Sequence, residues 1–108
     1  MHEYCREFSV QCDMPQSNQL VAVSIGVFDG DQVQGVRYYM EKQMSGWIVT
    51  TDRYNGDVNS LSMEHFSHLS EKRPDLVKYL CLPVGWRFDT SRRDVWFDET
   101  IQEELQPK

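Results

Sequence analysis

The side chains that could do chemistry are scattered along this 108-residue chain and match no catalytic or metal-binding spacing. His65 and His68 are three residues apart, so a helix would place them on one side, but a metal site needs three or four ligands. The acidic stretch at 52–59 fails the calcium-loop register, because Tyr54 and Gly56 occupy its third and fifth positions. We therefore predict no metal site and no cofactor.

The three cysteines predict neither a disulfide framework nor a nucleophile. Their number is odd and they show no CxxC spacing. Cys81 would need His65 or His68 beside it in space to act as a nucleophile, and no local signature indicates that arrangement. The glycine-rich phosphate loops and the GxSxG elbow are also absent from the sequence. We predict a protein that is not an enzyme, and keep a hydrolase built on scattered Asp and His residues as a weaker alternative.

The charge of the chain bears on its partners. Seventeen Asp and Glu residues against eleven Lys and Arg residues give a net charge of -6, which repels phosphate backbones and anionic lipid surfaces. We therefore predict no nucleic-acid partner and no membrane partner. No apolar run reaches the roughly 18 to 20 residues of a membrane span and the start lacks the pattern of a signal peptide, so we predict a cytoplasmic location.

Two aromatic segments near the end of the chain are the remaining unusual feature. Alternation along 86–88 places Trp86 and Phe88 on one side of a strand and Arg87 on the other. Along 94–98, Trp96 faces away from its two apolar neighbours, so at least one indole should lie outside the core. Large aromatic side chains flanked by Arg and Asp are typical of protein interfaces. The alternative is that both rings pack beneath the helices or the N-terminal strand.

The elements that must position these residues point to an α+β fold. The length suits one domain over residues 1–108. Period-two alternation and β-branched runs predict strands at 4–12, 20–28, 33–40, 47–51, 86–88 and 95–97, with 20–28 and 33–40 joined as a hairpin. We expect Ser45-Gly46 to interrupt the pattern. Ser62 is predicted to cap a helix running to Lys72, and Pro74 to restart a second one. The prediction is an antiparallel sheet of about five or six strands with two short helices packed on one face.

An ordered series of short motifs resembles the immunity protein 33 domain family. The motifs run from residue 20 to residue 98 and are Ser45-Gly46-Trp47, Asp52-Arg53-Tyr54 with Asp57-Val58, Arg73-Pro74-Asp75-Leu76, Pro83-Val84-Gly85-Trp86-Arg87-Phe88 and Asp94-Val95-Trp96-Phe97-Asp98. The resemblance implies a small cytosolic α+β protein, encoded beside a polymorphic toxin, that protects the producing cell by binding the toxin domain. The segment up to Gln19 could not be aligned with the family.

The aromatic and charged residues of these motifs are the candidates for binding a partner. The candidate partner-binding residues are Trp47, Asp52, Tyr54, Asp57, Trp86, Arg87, Asp94, Trp96 and Asp98. The implied partner is a cognate toxin domain, and the acidity of this chain favours a basic one. The alternative is a small-molecule-binding or regulatory module whose aromatic pocket is formed by Trp47, Trp86 and Trp96. The sequence leaves the choice between monomer and dimer open.

Overall fold

The computed structural model describes residues 10–40 and 43–101, which form a six-stranded sheet and two short helices. The sheet has the strand order β4-β1-β3-β2-β5-β6. This confirms the predicted α+β class and the number of strands. The strands are β1 (Leu20–Val23), β2 (Gln34–Arg37), β3 (Met44–Thr50), β4 (Ser62–His65), β5 (Trp86–Asp89) and β6 (Asp94–Phe97), and the helices are α1 (Phe66–Lys72) and α2 (Val77–Leu80).

The sheet is mixed, which corrects the antiparallel prediction. β1 pairs with β3 in parallel, whereas every other strand pair is antiparallel. The expected hairpin between β1 and β2 is therefore wrong, because β3 lies between them. The hydroxyl of Ser24 accepts a hydrogen bond from the amide of Thr51, and the hydroxyl of Thr51 donates to the carbonyl of Ile25. These bonds hold the ends of β1 and β3 side by side, and the chain turns away at Gly26, whose φ is 96°.

The helix predicted to follow a cap at Ser62 begins three residues later than expected, at Phe66, with His65 in the N-cap position. Residues 62–65 form β4, which pairs antiparallel with β1 along the outer edge of the sheet. The hydroxyl of Ser62 donates to the carboxylate of Glu64 and caps no helix. The first amides of α1 are satisfied by backbone carbonyls of Gln19 and Ser17 instead. An open sheet edge thus outweighed a local capping signal.

Ser45 and Gly46 lie within β3, where a break in the strand was expected. Gly46 has a φ of 91°, and the register against β1 shifts at this point, so the irregularity is a bulge inside the strand. A Cβ at position 46 would collide with the carbonyl oxygen of Tyr38. Only glycine suits both the backbone conformation and the close approach.

Three further predictions have clear outcomes. The hairpin of β5 and β6 and the restart of the helix at Pro74 are confirmed. Most of the predicted first strand lies outside the described residues. Its described part, Val10 to Cys12, is not a strand, and Val10 and Met14 pack against the core instead.

One face of the sheet carries the core, and both helices pack on that face as expected. Phe88 of β5 stacks on Tyr79 of α2, with ring centres 4.6 Å apart. The indole of Trp47 lies 5.4 Å from the ring of Phe88 and donates a 2.9 Å hydrogen bond to the carbonyl of Leu80. The other buried apolar side chains of this core include Val21, Val23, Val27, Val33, Val49, Phe66, Leu69, Leu76, Leu80 and Leu82.

Candidate partner-binding surface

The opposite face of the sheet, here called the open face, lies away from α1 and α2. Residues directly opposite on neighbouring strands share a face, so the register defines a row that crosses all six strands. This apolar row is formed by Met63, Ala22, Ile48, Val36, Arg87 and Trp96. Ala22 is buried, the next three residues are half-buried, and Trp96 and Met63 are 37% and 49% exposed.

A second row beside the first one is polar and acidic. This acidic row is formed by Thr50, Gln34, Asp89 and Asp94. Asp52 joins it from the loop after β3, where its carboxylate accepts a 3.3 Å hydrogen bond from the side-chain amide of Gln34. The side chain of Asp94 is 54% exposed and lies 3.7 Å from that of Arg92. The open face therefore places an apolar strip beside carboxylates, as in an interface core with a charged rim.

Arg87 holds the most exposed corner of this face in position. Its guanidinium lies 5.8 Å from the centre of the Trp96 ring and donates a 3.0 Å hydrogen bond to the carboxylate of Asp98. The Nε atom of Arg87 is buried and has no hydrogen-bond partner within 10–40 and 43–101. A buried donor without an acceptor costs free energy, so this corner retains an unused hydrogen-bonding group.

Asp98 links Arg87 to the helical turn that follows β6. One carboxylate oxygen accepts from both the amide and the hydroxyl of Thr100, and the other accepts from Arg87. The hydrogen bond from the Thr100 hydroxyl, followed by that from Arg87, lowers the pKa of Asp98 below its ordinary value. Asp98 therefore remains ionised at neutral pH and fixes Arg87 beneath Trp96.

The structure brings together five of the nine candidate residues. Arg87, Asp94, Trp96 and Asp98 surround the exposed corner of the open face, and Asp52 lies at the end of the acidic row. The alternation predicted for the two aromatic strands is confirmed, since Trp96 and Phe88 lie on opposite faces of the sheet.

The other four candidates lie elsewhere. Trp47 is only 1% exposed, so the expectation that it contacts a partner is corrected: its indole belongs to the core. Trp86 lies on the helix-bearing face, with its ring 5.9 Å from that of Phe97. Tyr54 and Asp57 belong to the loop between β3 and β4, where Asp57 caps a short 3-10 turn by accepting from the Asn59 amide.

The aromatic pocket expected for a small-molecule-binding module is not formed. Trp47 and Trp86 lie on the helix-bearing side of the sheet, whereas Trp96 lies on the open face. The three indoles therefore line no common cavity, and the small-molecule alternative loses the feature on which it rested.

Four residues of the open face were missed from the sequence, namely Val36, Ile48, Met63 and Asp89. Had Trp47 been assigned to the core, alternation within β3 would have placed Ile48 on the other face of the sheet. Alternation within β2 would likewise have separated Val36 from Gly35. Met63 gave no such signal, because its segment was predicted as a helix.

The described residues hold neither a cluster that could bind a metal ion nor a helix that could span a membrane. No three His, Cys, Asp or Glu side chains within 10–40 and 43–101 are grouped so as to hold a metal ion. His68 instead contacts Glu64 at 2.9 Å and stacks on Phe28. In the same part of the chain, none of the helices has the length and apolar character that crossing a membrane requires.

Comparison with known proteins identifies the family. No curated protein and no solved structure matches the chain. A family model described as the Imm33-like domain matches residues 1–98, which include the N-terminal segment that could not be aligned by motif as well as every strand of the sheet. The chain therefore belongs to the Imm33-like domain family.

Proposed function

We propose that this chain is an immunity protein that binds a cognate toxin domain and neutralises it by covering the toxin's functional surface, without chemistry of its own. The observation that carries the proposal is the exposed corner of the open face, where Trp96 is 37% exposed, rests on Arg87 and neighbours Asp94. Trp and Arg are enriched among the residues that contribute most to binding. The family name points to the same class of activity.

A fixed surface suits inhibition by occlusion. Arg87 and Asp98 hold the Trp96 ring before any partner arrives, so less side-chain entropy is lost on binding. Covering a toxin's active surface requires a stable complex and no catalytic group in the inhibitor. The apolar row supplies area to bury, and the acidic row supplies charge that orients the partner.

Replacing Trp96 with Ala should weaken the complex with the toxin domain encoded beside this gene by about 30- to 100-fold, corresponding to about 2 to 2.7 kcal/mol. The loss arises because the ring is the largest exposed side chain of the apolar row. Isothermal titration calorimetry measures the affinity, and relief of growth arrest by the co-expressed toxin measures the protection.

Tyr39→Ala is the matched control, since Tyr39 is 57% exposed and lies outside the apolar and acidic rows. It should leave affinity and protection within about threefold of the wild type. Equal affinity of the Trp96→Ala and Tyr39→Ala variants for the toxin domain would mean that the partner binds another surface. Failure of the wild-type protein to form any complex with that toxin would overturn the proposed function itself.

The acidic row should act mainly on the rate of association with a basic partner. Asp94→Lys reverses an exposed charge beside Trp96 and should slow association by about tenfold at low salt, because long-range attraction steers the encounter. Stopped-flow measurements at increasing ionic strength should show the difference shrink as salt screens it.

Glu71→Lys makes the same change in net charge on α1, on the far side of the sheet, and is the control. It should slow association by much less than Asp94→Lys. An association rate that is independent of ionic strength would remove the basic-partner part of the proposal and leave the apolar contact in place.

A further inference from the structure

The backbone of β6 forms one free edge of the described sheet. The amide of Asp98 donates a 2.8 Å hydrogen bond to the carbonyl of Gly85, which fixes the phase of the β5–β6 ladder. In an antiparallel pair, alternate residues direct both of their backbone groups to the neighbouring strand. Asp94, Trp96 and Asp98 therefore bond inward to β5. Val95 and Phe97 direct their N–H and C=O groups outward, where no described strand lies.

Building on the proposed function, we propose that the toxin domain docks by adding an extended strand to β6, hydrogen-bonded to the backbone of Val95 and Phe97. An unpaired edge is a ready template for another strand, and natural sheets commonly protect such edges with Pro, Lys or a covering element. β6 has neither Pro nor Lys, and it presents Trp96 and Phe97, which are 37% and 40% exposed, on its two faces. The added strand extends the open face and buries one edge of Trp96.

The side chains of β6 indicate the chemistry of the added strand. On the open face, Asp94, Trp96 and Asp98 alternate acidic, aromatic and acidic. Cross-strand neighbours lie about 5 Å apart, so opposite charges in directly facing positions are favoured. The complementary strand carries basic residues two positions to either side of an apolar residue. This places the positive charge of the toxin beside the acidic row.

The same alternation argues against a second copy of this chain as the occupant. Two β6 strands could pair in antiparallel fashion through the outward backbone groups of both copies. Val95 of one copy would then face Phe97 of the other. That register places Asp94 directly opposite Asp98 on both sides of the Trp96 pair. Four carboxylates then crowd one face, and like charges in directly opposed positions are destabilising. A basic strand from another protein relieves this repulsion.

The other edge of the sheet supplies an internal control. β4 pairs with β1, and the bond from the Phe66 amide to the Gln19 carbonyl sets the phase there. Met63 and His65 therefore direct their backbone groups outward, as Val95 and Phe97 do on β6. β4 presents no aromatic ring pair and no alternation of acidic and aromatic side chains.

Amide hydrogen exchange followed by NMR tests the proposal on the full chain, alone and with the toxin domain encoded beside its gene. In the free protein, the Val95 and Phe97 amides should exchange at least about tenfold faster than that of Trp96. In the complex they should slow by at least about tenfold, whereas Met63 and His65 should not change. Protection at Met63 and His65 instead would overturn the assignment to β6.

A proline substitution provides the second readout. Phe97→Pro removes an outward N–H and no bond of the β5–β6 ladder, and edge strands tolerate Pro at such positions. Phe97→Ala removes the same ring and keeps the N–H. We expect Phe97→Pro to bind the toxin at least about tenfold more weakly than Phe97→Ala.

The outcomes separate the two proposals. A complex that forms with unchanged exchange at Val95 and Phe97, or with equal affinity for the Pro and Ala variants, would overturn strand addition and leave the proposed function intact. The absence of any complex with the wild-type protein would overturn both. Exchange is measured on the wild-type chain, so this readout does not depend on the folding of a variant.

Discussion

Replacing Arg37 with Ala should lower the free energy of unfolding by about 3 to 5 kcal/mol. The side chain is 5% exposed, and its guanidinium donates hydrogen bonds to the carbonyls of Ser45, Asp13 and Leu82 at 2.9, 2.6 and 2.7 Å. These carbonyls belong to three separate segments, namely β3, the chain before β1 and the chain after α2.

The effect is large because Ala removes the donor to all three carbonyls, two of them in buried hydrogen bonds. A buried carbonyl that loses its partner costs about 1 to 3 kcal/mol. Burial lowers the pKa of Arg37, and the carboxylate of Asp13 opposes this change. The cation therefore joins the N-terminal segment to the sheet from inside the protein.

Urea unfolding followed by far-ultraviolet circular dichroism measures the change. Arg53→Ala is the control, because Arg53 also bonds two groups, the carboxylates of Asp29 and Asp31, but is 47% exposed. Its unfolding midpoint should move little, since solvent already screens exposed ion pairs. Equal shifts for the two variants would contradict a structural role for the buried guanidinium.

Replacing Trp47 with Ala should cost about 3 to 5 kcal/mol of stability and leave the affinity of the folded protein for its partner unchanged. The ring contacts Phe88 in the centre of the core, and its N–H is the donor to the Leu80 carbonyl. Truncation therefore creates a cavity and also removes the donor from a buried acceptor. Trp47→Phe keeps most of the apolar volume and should lose about 1 to 3 kcal/mol.

Trp96→Ala should show the opposite pattern, with weaker binding and stability within about 1 kcal/mol of the wild type. Urea unfolding gives the stability of both variants, and calorimetry at a temperature where each is folded gives the affinity. A Trp47→Ala variant that is fully stable but cannot bind would return this residue to the partner-binding surface and contradict its role in the core.

Local signals in the sequence determined the elements whose partners are close along the chain. The β5–β6 hairpin was predicted because its strands are separated by four turn residues, and alternation within it placed Trp96 and Phe88 on opposite faces. The helix restart at Pro74 also follows from local chemistry, since Pro fits the first turn of a helix. The motif series from 20 to 98 indicated the family that the match over residues 1–98 confirms.

Only the tertiary structure decided which strands are neighbours and which faces meet the helices. Strand patterns report that one side is buried, but every strand edge offers the same backbone groups, so the sequence could not distinguish β3 from β2 as the neighbour of β1. Residues 62–65, predicted as part of a helix, pair instead with the other edge of β1 and form β4. Trp47 suited an interface or a core equally well by residue type, and its position opposite Phe88 and Leu80 resolved the choice. The open face is assembled from strands far apart in the chain, so alternation within each strand could indicate which of its residues share a face but not which strands lie side by side.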